Sequence, residues 1–486
     1  MKNMVWQKID TLDVALIIIS MTVILSMSFC SKLFWMRSSQ PTNKHSRKKQ
    51  KKWQNNQNTV LQYLLMGRQL TMPLFVMTLV STWYGGIFGV TQIAFEHGVY
   101  NFITQGFFWY LAYIVFALCF AKKIHEMKVY SLSEMIGQLF GAKSAKLTAV
   151  LLFIKTLPIS YAIGLGLFLQ TMFDIPLMNG IFISCGTVAI FGCFGGIRGV
   201  VLRDVVQFTL MYVAVISVVV CSIWKFGGLG FLKTNLPDSY FSLNGQHDYK
   251  ITILWLFIAF SSTLVSPVFY QRCLAAKNGK VARTGILIST CFWFIFDICT
   301  TLGGMYAKAI MPEAESTNGY LLYGLEILPS GFRGIFIAGI VATVLSTLDA
   351  FTFSSSTLLS YDLFRIHFRN PRIETIIRTI ATILTSAITA GLAISFNGRI
   401  EDAWLMLELY AGATIMMPII WKRFFIKTII RDWQYVSCCL LSIIIIAATH
   451  SFINISSFYL ASIAVISSLG VFSYHNSYHN DQGQKS

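Results

Sequence analysis

Thirteen apolar runs of roughly 17 to 26 residues, the first near 14–35 and the last near 458–474, follow one another along this chain of 486 residues. Runs of that length cross the ~30 Å hydrocarbon core of a bilayer as helices, the fifth (180–195) and twelfth (433–448) being short for it. In lipid a backbone N–H or C=O finds no water, so only helices and closed barrels can span, and these runs far exceed the roughly ten residues of a barrel strand. The expectation is an all-α integral membrane protein with about 13 transmembrane helices. Composition agrees: 55% of residues are hydrophobic, 12% are charged, and the mean hydropathy is +0.62, which excludes a soluble globular protein of ordinary make-up. A formal net charge of +17 would suit a nucleic-acid partner if it were gathered on one domain. It is scattered over short loops instead, and the partner it implies is the lipid bilayer.

Those loops alternate. Lys and Arg gather at 44–52, 122–128, 272–283, 365–378 and 422–431, all on one side of the membrane if the N-terminus lies outside. Cytoplasmic loops are the ones that collect basic residues, so the expectation is a multi-pass protein of the cell (inner) membrane with its N-terminus outside and its C-terminus in the cytoplasm. Asp10 and Asp13 precede the first run, and no small-residue cleavage site follows it, so it reads as a retained helix and not a signal peptide. Residues 37–58 read as a disordered basic loop touching anionic lipid. The ten cysteines have no paired zinc or redox spacing, and His475 and His479 in the polar tail read as solvated.

Chemistry concentrates at three interruptions of apolar sequence. The run from Gly339 to Phe364 carries adjacent hydroxyls, Ser346 and Thr347, about midway. A hydroxyl in hydrocarbon must bond its own helix, a neighbouring helix or a ligand. Sodium, a hard cation that takes neutral oxygens, is one such ligand; easier helix packing is the other reading. The second run holds Gly85, Gly86 and Gly89, which either free carbonyls such as those of Leu79 and Thr82 for a cation or let helices approach closely. The seventh is interrupted at Ser261, Ser262, Thr263, Ser266 and Pro267. Two broken helices five spans apart, hence oppositely oriented, point to an inverted-repeat transporter with its site at the midplane.

With these pieces in order the chain resembles the sodium:solute symporter family, on the second run ending IAFEHG, the loop YSLSEMIGQLFG, GGIRGVVLRDVVQF, QRCLAAKNGKVARTG, and ATVLSTLDAFTFSSSTLLSYDLF. The resemblance implies two inverted five-helix repeats with broken first helices, at 70–224 and 250–421. Around them lie an N-terminal helix and basic loop over 1–69, an outer loop over 225–249, and two C-terminal helices with a tail over 422–486. It implies a sodium site made of the carbonyls of Leu79, Thr82 and Thr343 with the hydroxyls of Ser346 and Thr347. It also places Asp204 on the sodium exit path, against the alternative of an ion pair with Arg203 or Arg198. Solute contacts are expected from Ser81, Trp83, Gly85, Gly86, Lys155 and Ser261. Sugar- and proline-transporting members carry polar or acidic side chains where this chain has Gly85, Gly86 and Ser81, so neither solute is favoured.

Three charges lie deep in apolar sequence. Asp349 reads either as a tuner of the cation site or as an acid bonded to a neighbouring helix. Asp297 lies mid-span, and Lys155, about 13 Å into its helix at the helical rise, needs Asp297 or an anionic solute as partner, unless it snorkels. The sum is a sodium-coupled symporter of a small organic solute, with sodium as coupling ion, no other cofactor and no enzymatic constellation. A solute-sensing receptor of the same fold and a proton-coupled carrier are the competing readings.

Overall fold

The computed structural model describes residues 8–38, 60–193, 196–245, 247–364, 371–399, 407–408, 412–424, 431–452 and 462. Regular structure among them is helical. The principal helices are α1 (Thr11–Ser38), α2 (Met72–Trp83), α3 (Ile87–His97), α4 (Phe102–Glu126), α5 (Leu132–Phe140), α6 (Ala142–Thr156), α7 (Ile159–Phe173), α8 (Leu177–Gly192) and α9 (Gly196–Phe226). They continue with α10 (Tyr249–Leu264), α11 (Pro267–Ala275), α12 (Gly279–Ile310), α13 (Ser316–Ile327), α14 (Phe332–Leu363), α15 (Pro371–Ser395), α16 (Ala413–Phe424) and α17 (Asp432–Phe452). Six helices among the described residues are long and apolar enough to cross a membrane, or eight if each of two bent pairs is one span. Shorter apolar helices cover Thr11–Met27, Leu177–Gly192 and Asp432–Ala448. All but residue 462 of the thirteenth run, most of the basic loop at 37–58 and the tail histidines lie outside the described residues. Large apolar side chains such as Ile18, Ile190, Val220, Ile380 and Ile444 face outward, which in a bilayer is where they belong.

Each break has a local cause. The bend of 63° between α2 and α3 falls at Tyr84-Gly85-Gly86, where glycine makes the helix cheap to interrupt. The 41° bend between α10 and α11 is made by Ser266, which caps α11 by accepting the Phe269 N–H at 3.4 Å, and by Pro267 in the first helical turn, where its missing N–H costs nothing. A third break was not expected: the fourth run, continuous over 146–172 in the sequence reading, divides at Leu157-Pro158 into α6 and α7. Leu157 is extended (φ −58°, ψ 123°) because the proline ring excludes the helical conformation before it.

The breaks meet around α14, which packs most extensively along α9 and also meets α1, α2, α6 and α7. The lead-in to α2 is tied to the end of α11 by two backbone bonds, Leu70 N–H to the Ala275 carbonyl at 3.0 Å and Lys277 N–H to the Leu70 carbonyl at 2.9 Å. At the opposite end of α14, Asp13 of α1 is buried and its Oδ1 accepts from the N–H groups of Gly331 (2.8 Å) and Gly334 (2.7 Å). A helix start leaves such donors unsatisfied, so this acid docks the first helix onto α14.

Candidate ion and solute site

The last turn of α2 ends at the glycine break, and the final carbonyls of a helix have no partner within it. Hydroxyls from α14 meet them. Ser346 Oγ donates to the Ser81 carbonyl at 2.7 Å and lies 3.0 Å from its own Thr343 carbonyl; Thr347 Oγ1 lies 3.5 Å from the Ser81 carbonyl and 3.4 Å from that of Thr343. Leu79, Ser81, Thr82, Thr343, Ser346 and Thr347 are all buried. Ser81, assigned to the solute from sequence, is therefore the residue whose carbonyl joins α2 to α14, while its own hydroxyl donates to the backbone carbonyls of Met77 and Asp204.

The glycines of the second run divide between the two readings offered for them. A Cβ on Gly85 would stand 2.5 Å from Thr347 Cβ and 2.8 Å from Tyr161 Cδ1, whereas one on Gly86 or Gly89 meets nothing within 4 Å. Gly85 is thus needed for close approach of the break to α14, and Gly86 and Gly89 border open space.

Beside this seam lies a buried charge cluster. Asp204 accepts a hydrogen bond from the Thr78 hydroxyl, and its Oδ2 is 3.9 Å from Arg272 Nη2. Arg272 also donates to the Thr82 hydroxyl at 3.1 Å and to Gln271 Oε1 at 3.0 Å. Arg203 pairs with Asp349, donating from Nη2 at 2.6 Å and from Nε at 2.9 Å. Neither Arg203 nor Arg198 pairs with Asp204; Arg198 donates instead to Gln62 at 2.6 Å. The chain places Arg203 and Asp204 on successive positions of α9, about 100° apart round the helix, so they face different neighbours. Arg272, counted from sequence among loop cations, is fully buried in α11.

Lys155 requires a correction of the same kind. It does not pair with Asp297: its Nζ donates to Glu408 Oε1 at 2.5 Å, and Glu408 Oε2 lies 3.3 Å from the Ser261 hydroxyl. Lys155 sits in the last turn of α6, where the helix dipole and unpaired carbonyls favour a cation. The unforeseen Pro158 break is what makes a lysine tolerable at that depth. Asp297, in turn, accepts from the hydroxyls of Tyr84 and Tyr110, one on each oxygen. Glu408 and the two tyrosines were missed, although a lone acid in the apolar stretch AWLMLELYAGATIMM was a signal.

Above the seam opens a cavity of about 600 Å³, the size of a small-molecule site. Of the expected solute residues Trp83, Gly86 and Lys155 line it, while Ser81, Gly85 and Ser261 do not. Trp109, Tyr113, Tyr161, Trp255, Trp293 and Phe351 add an aromatic lining, and Glu96, His97, His247 and Arg399 stand round the wall with Asp297 and Glu408. Three helix breaks contribute to it, at Tyr84–Gly86, Thr156–Leu157 and Ser266–Pro267.

A helical bundle with broken helices round a midpoint cavity has known counterparts. The structure superposes on a Na+-coupled sialic acid symporter, captured substrate-bound and outward-open, with a TM-score of 0.75 and 17% identity, covering 95% of this chain and 96% of that one. In sequence it is 25% identical to the sodium/pantothenate symporter of Haemophilus influenzae over 57% of this chain and 60% of that protein. It is 24% identical to the sodium/pantothenate symporter of Escherichia coli over 74% of this chain and 80% of that protein. The match thus spans less than two thirds of the Haemophilus protein. These relatives are transporters, not enzymes. The family model described as "Sodium:solute symporter family" matches residues 63–427, and with well over half of its length inside that match the chain belongs to the sodium:solute symporter family.

Proposed function

We propose that this protein is a sodium-coupled secondary symporter that imports a small organic solute across the cell (inner) membrane by alternating access. The observation that carries the reading is the seam itself: two hydroxyls of α14 aimed at the broken end of α2, directly beside a solute-sized cavity. The ion would take the carbonyls of Leu79, Thr82 and Thr343 with the hydroxyls of Ser346 and Thr347, and the Ser81 carbonyl, which those hydroxyls now engage, stands beside them. Five or so neutral oxygens suit a monovalent hard cation without leaving a net negative charge in the bilayer.

Sodium bound across the seam holds α2 against α14, and it drives transport only if it prefers the state in which the seam is closed. Asp204, about one α2 turn from the seam through Thr78, is the proposed exit carboxylate, with Arg272 Nη2 3.9 Å from it. The repeats would run over 70–224 and 250–421, and the orientation would be N-terminus outside, C-terminus inside. The basic loops are the argument for that orientation; the Asp13 contact agrees with the alternation alone, since helices one and nine of an alternating series begin on the same side, whichever side it is, as α1 and α14 do. Trp83, Gly86 and Lys155 remain proposed solute contacts; Ser81 and Gly85 belong to the seam with α14, and Ser261 to the Lys155–Glu408 pair. An anionic solute loses its chief argument, because the Lys155 charge is met by Glu408.

Uptake into proteoliposomes tests the reading. Ser346→Ala and Thr347→Ala should each raise the sodium concentration giving half-maximal uptake, and the double variant should lose sodium stimulation while remaining folded. Sodium dependence surviving unchanged in the double variant would refute the site.

A further inference from the structure

The charge of the cavity wall says what kind of solute it admits. Among the described residues, Lys155 and Glu408 neutralise each other at 2.5 Å, Glu96 and Arg399 carry opposite signs, and His97 and His247 stand together, rings 4.4 Å apart, with His97 3.8 Å from Glu96. That leaves Asp297. Its carboxyl lines the cavity, is buried, and takes hydrogen bonds from the Tyr84 and Tyr110 hydroxyls, yet no Lys, Arg or His among the described residues lies within ion-pair distance of it. Both tyrosines act as donors toward it, one to each oxygen, an arrangement that suits an ionised acceptor. A buried carboxylate without a counter-cation is costly, and a ligand can supply what the protein withholds.

The surrounding surface is aromatic. Trp83 packs edge-on against Trp109 and Tyr113, at centroid distances of 5.7 and 6.3 Å, and Tyr113 lies 4.2 Å from Trp293. All four rings line the cavity together with Asp297. Ring faces attract a cation within about 6 Å of their centres, and a cluster of them beside one acid is the chemistry that holds ammonium groups stripped of water. We propose that the solute of this site carries a quaternary or protonated ammonium group, received by the aromatic wall and balanced by Asp297. This rests on the symport reading and names the solute class within it.

The experiment is a thermal-shift titration of the purified full-length protein in lipid nanodiscs, at fixed sodium and again in potassium. The probes are choline and glycine betaine as ammonium compounds, 3,3-dimethylbutan-1-ol as the neutral isostere of choline, and pantothenate and myo-inositol as anionic and neutral controls. The expected result is saturable stabilisation by at least one ammonium probe in sodium, with the isostere at least tenfold weaker. Asp297→Asn should weaken the response to that probe at least tenfold while leaving the sodium response intact. Should Asp297→Asn fail to fold, Trp83→Leu serves, with the same selective loss of the ammonium response expected. Stabilisation by pantothenate or myo-inositol but by neither ammonium compound overturns the proposal, as does equal response to choline and its isostere, or no response to any solute while sodium stabilises. Loss of any sodium-specific stabilisation would instead count against the symport reading.

Discussion

Replacing Lys155 by Met removes one half of an ion pair that is almost wholly enclosed, each side chain being 7% exposed. At 2.5 Å and an effective dielectric constant near 20, the gross attraction is roughly 7 kcal/mol. Desolvation of the two groups offsets most of it, so the intact pair contributes little net stability. Breaking it is different: among the described residues Glu408 would be left with the Ser261 hydroxyl at 3.3 Å, and an uncompensated buried charge costs about 3–5 kcal/mol. Lys155→Met should therefore lower unfolding free energy by that amount, measured by denaturant titration in mixed micelles. Adding Glu408→Gln should return the protein to within about 1 kcal/mol of the parent, since neither charge is then left and the amide still reaches Ser261. Adding Asp297→Asn to Lys155→Met should restore nothing, because Asp297 answers to two tyrosines. If the losses from Lys155→Met and Glu408→Gln simply add, within about 0.5 kcal/mol, the pair does not exist as described.

Other expectations follow from the geometry. Gly85→Ala should abolish sodium-dependent uptake and destabilise by about 1–3 kcal/mol, the usual cost of overpacking, while Gly86→Ala should fold normally; equal behaviour in uptake and melting would contradict the close contact at Thr347. Asp13→Ala removes two N–H partners at the start of α14 and should cost about 1–2 kcal/mol, read as faster amide exchange at Gly331 and Gly334. Cysteine tags at 44–58 should label only from the cytoplasmic face and tags at 238–245 only from outside; the reverse would overturn the orientation.

Apolar run length and the scarcity of charge by themselves determine the helical membrane architecture, since a bilayer leaves the backbone few alternatives. The glycines of the second run and the Ser-Pro of the seventh announced two breaks, because those residues act through their own backbone. Pro158 announced a third and was overlooked within a continuous apolar run. The pairing of charges was not legible. A lysine in a helix declares a need for a partner but not which one, and Lys155 finds Glu408, 253 positions away, through the meeting of segments from opposite halves of the chain. Asp204 with Arg272, Arg203 with Asp349 and Asp297 with its tyrosines were decided in the same way. Local sequence sets where a helix must stop and which side chains cannot face lipid; only the packed bundle sets which of those side chains meet, because ion pairs and hydrogen bonds depend on distances that sequence separation does not encode.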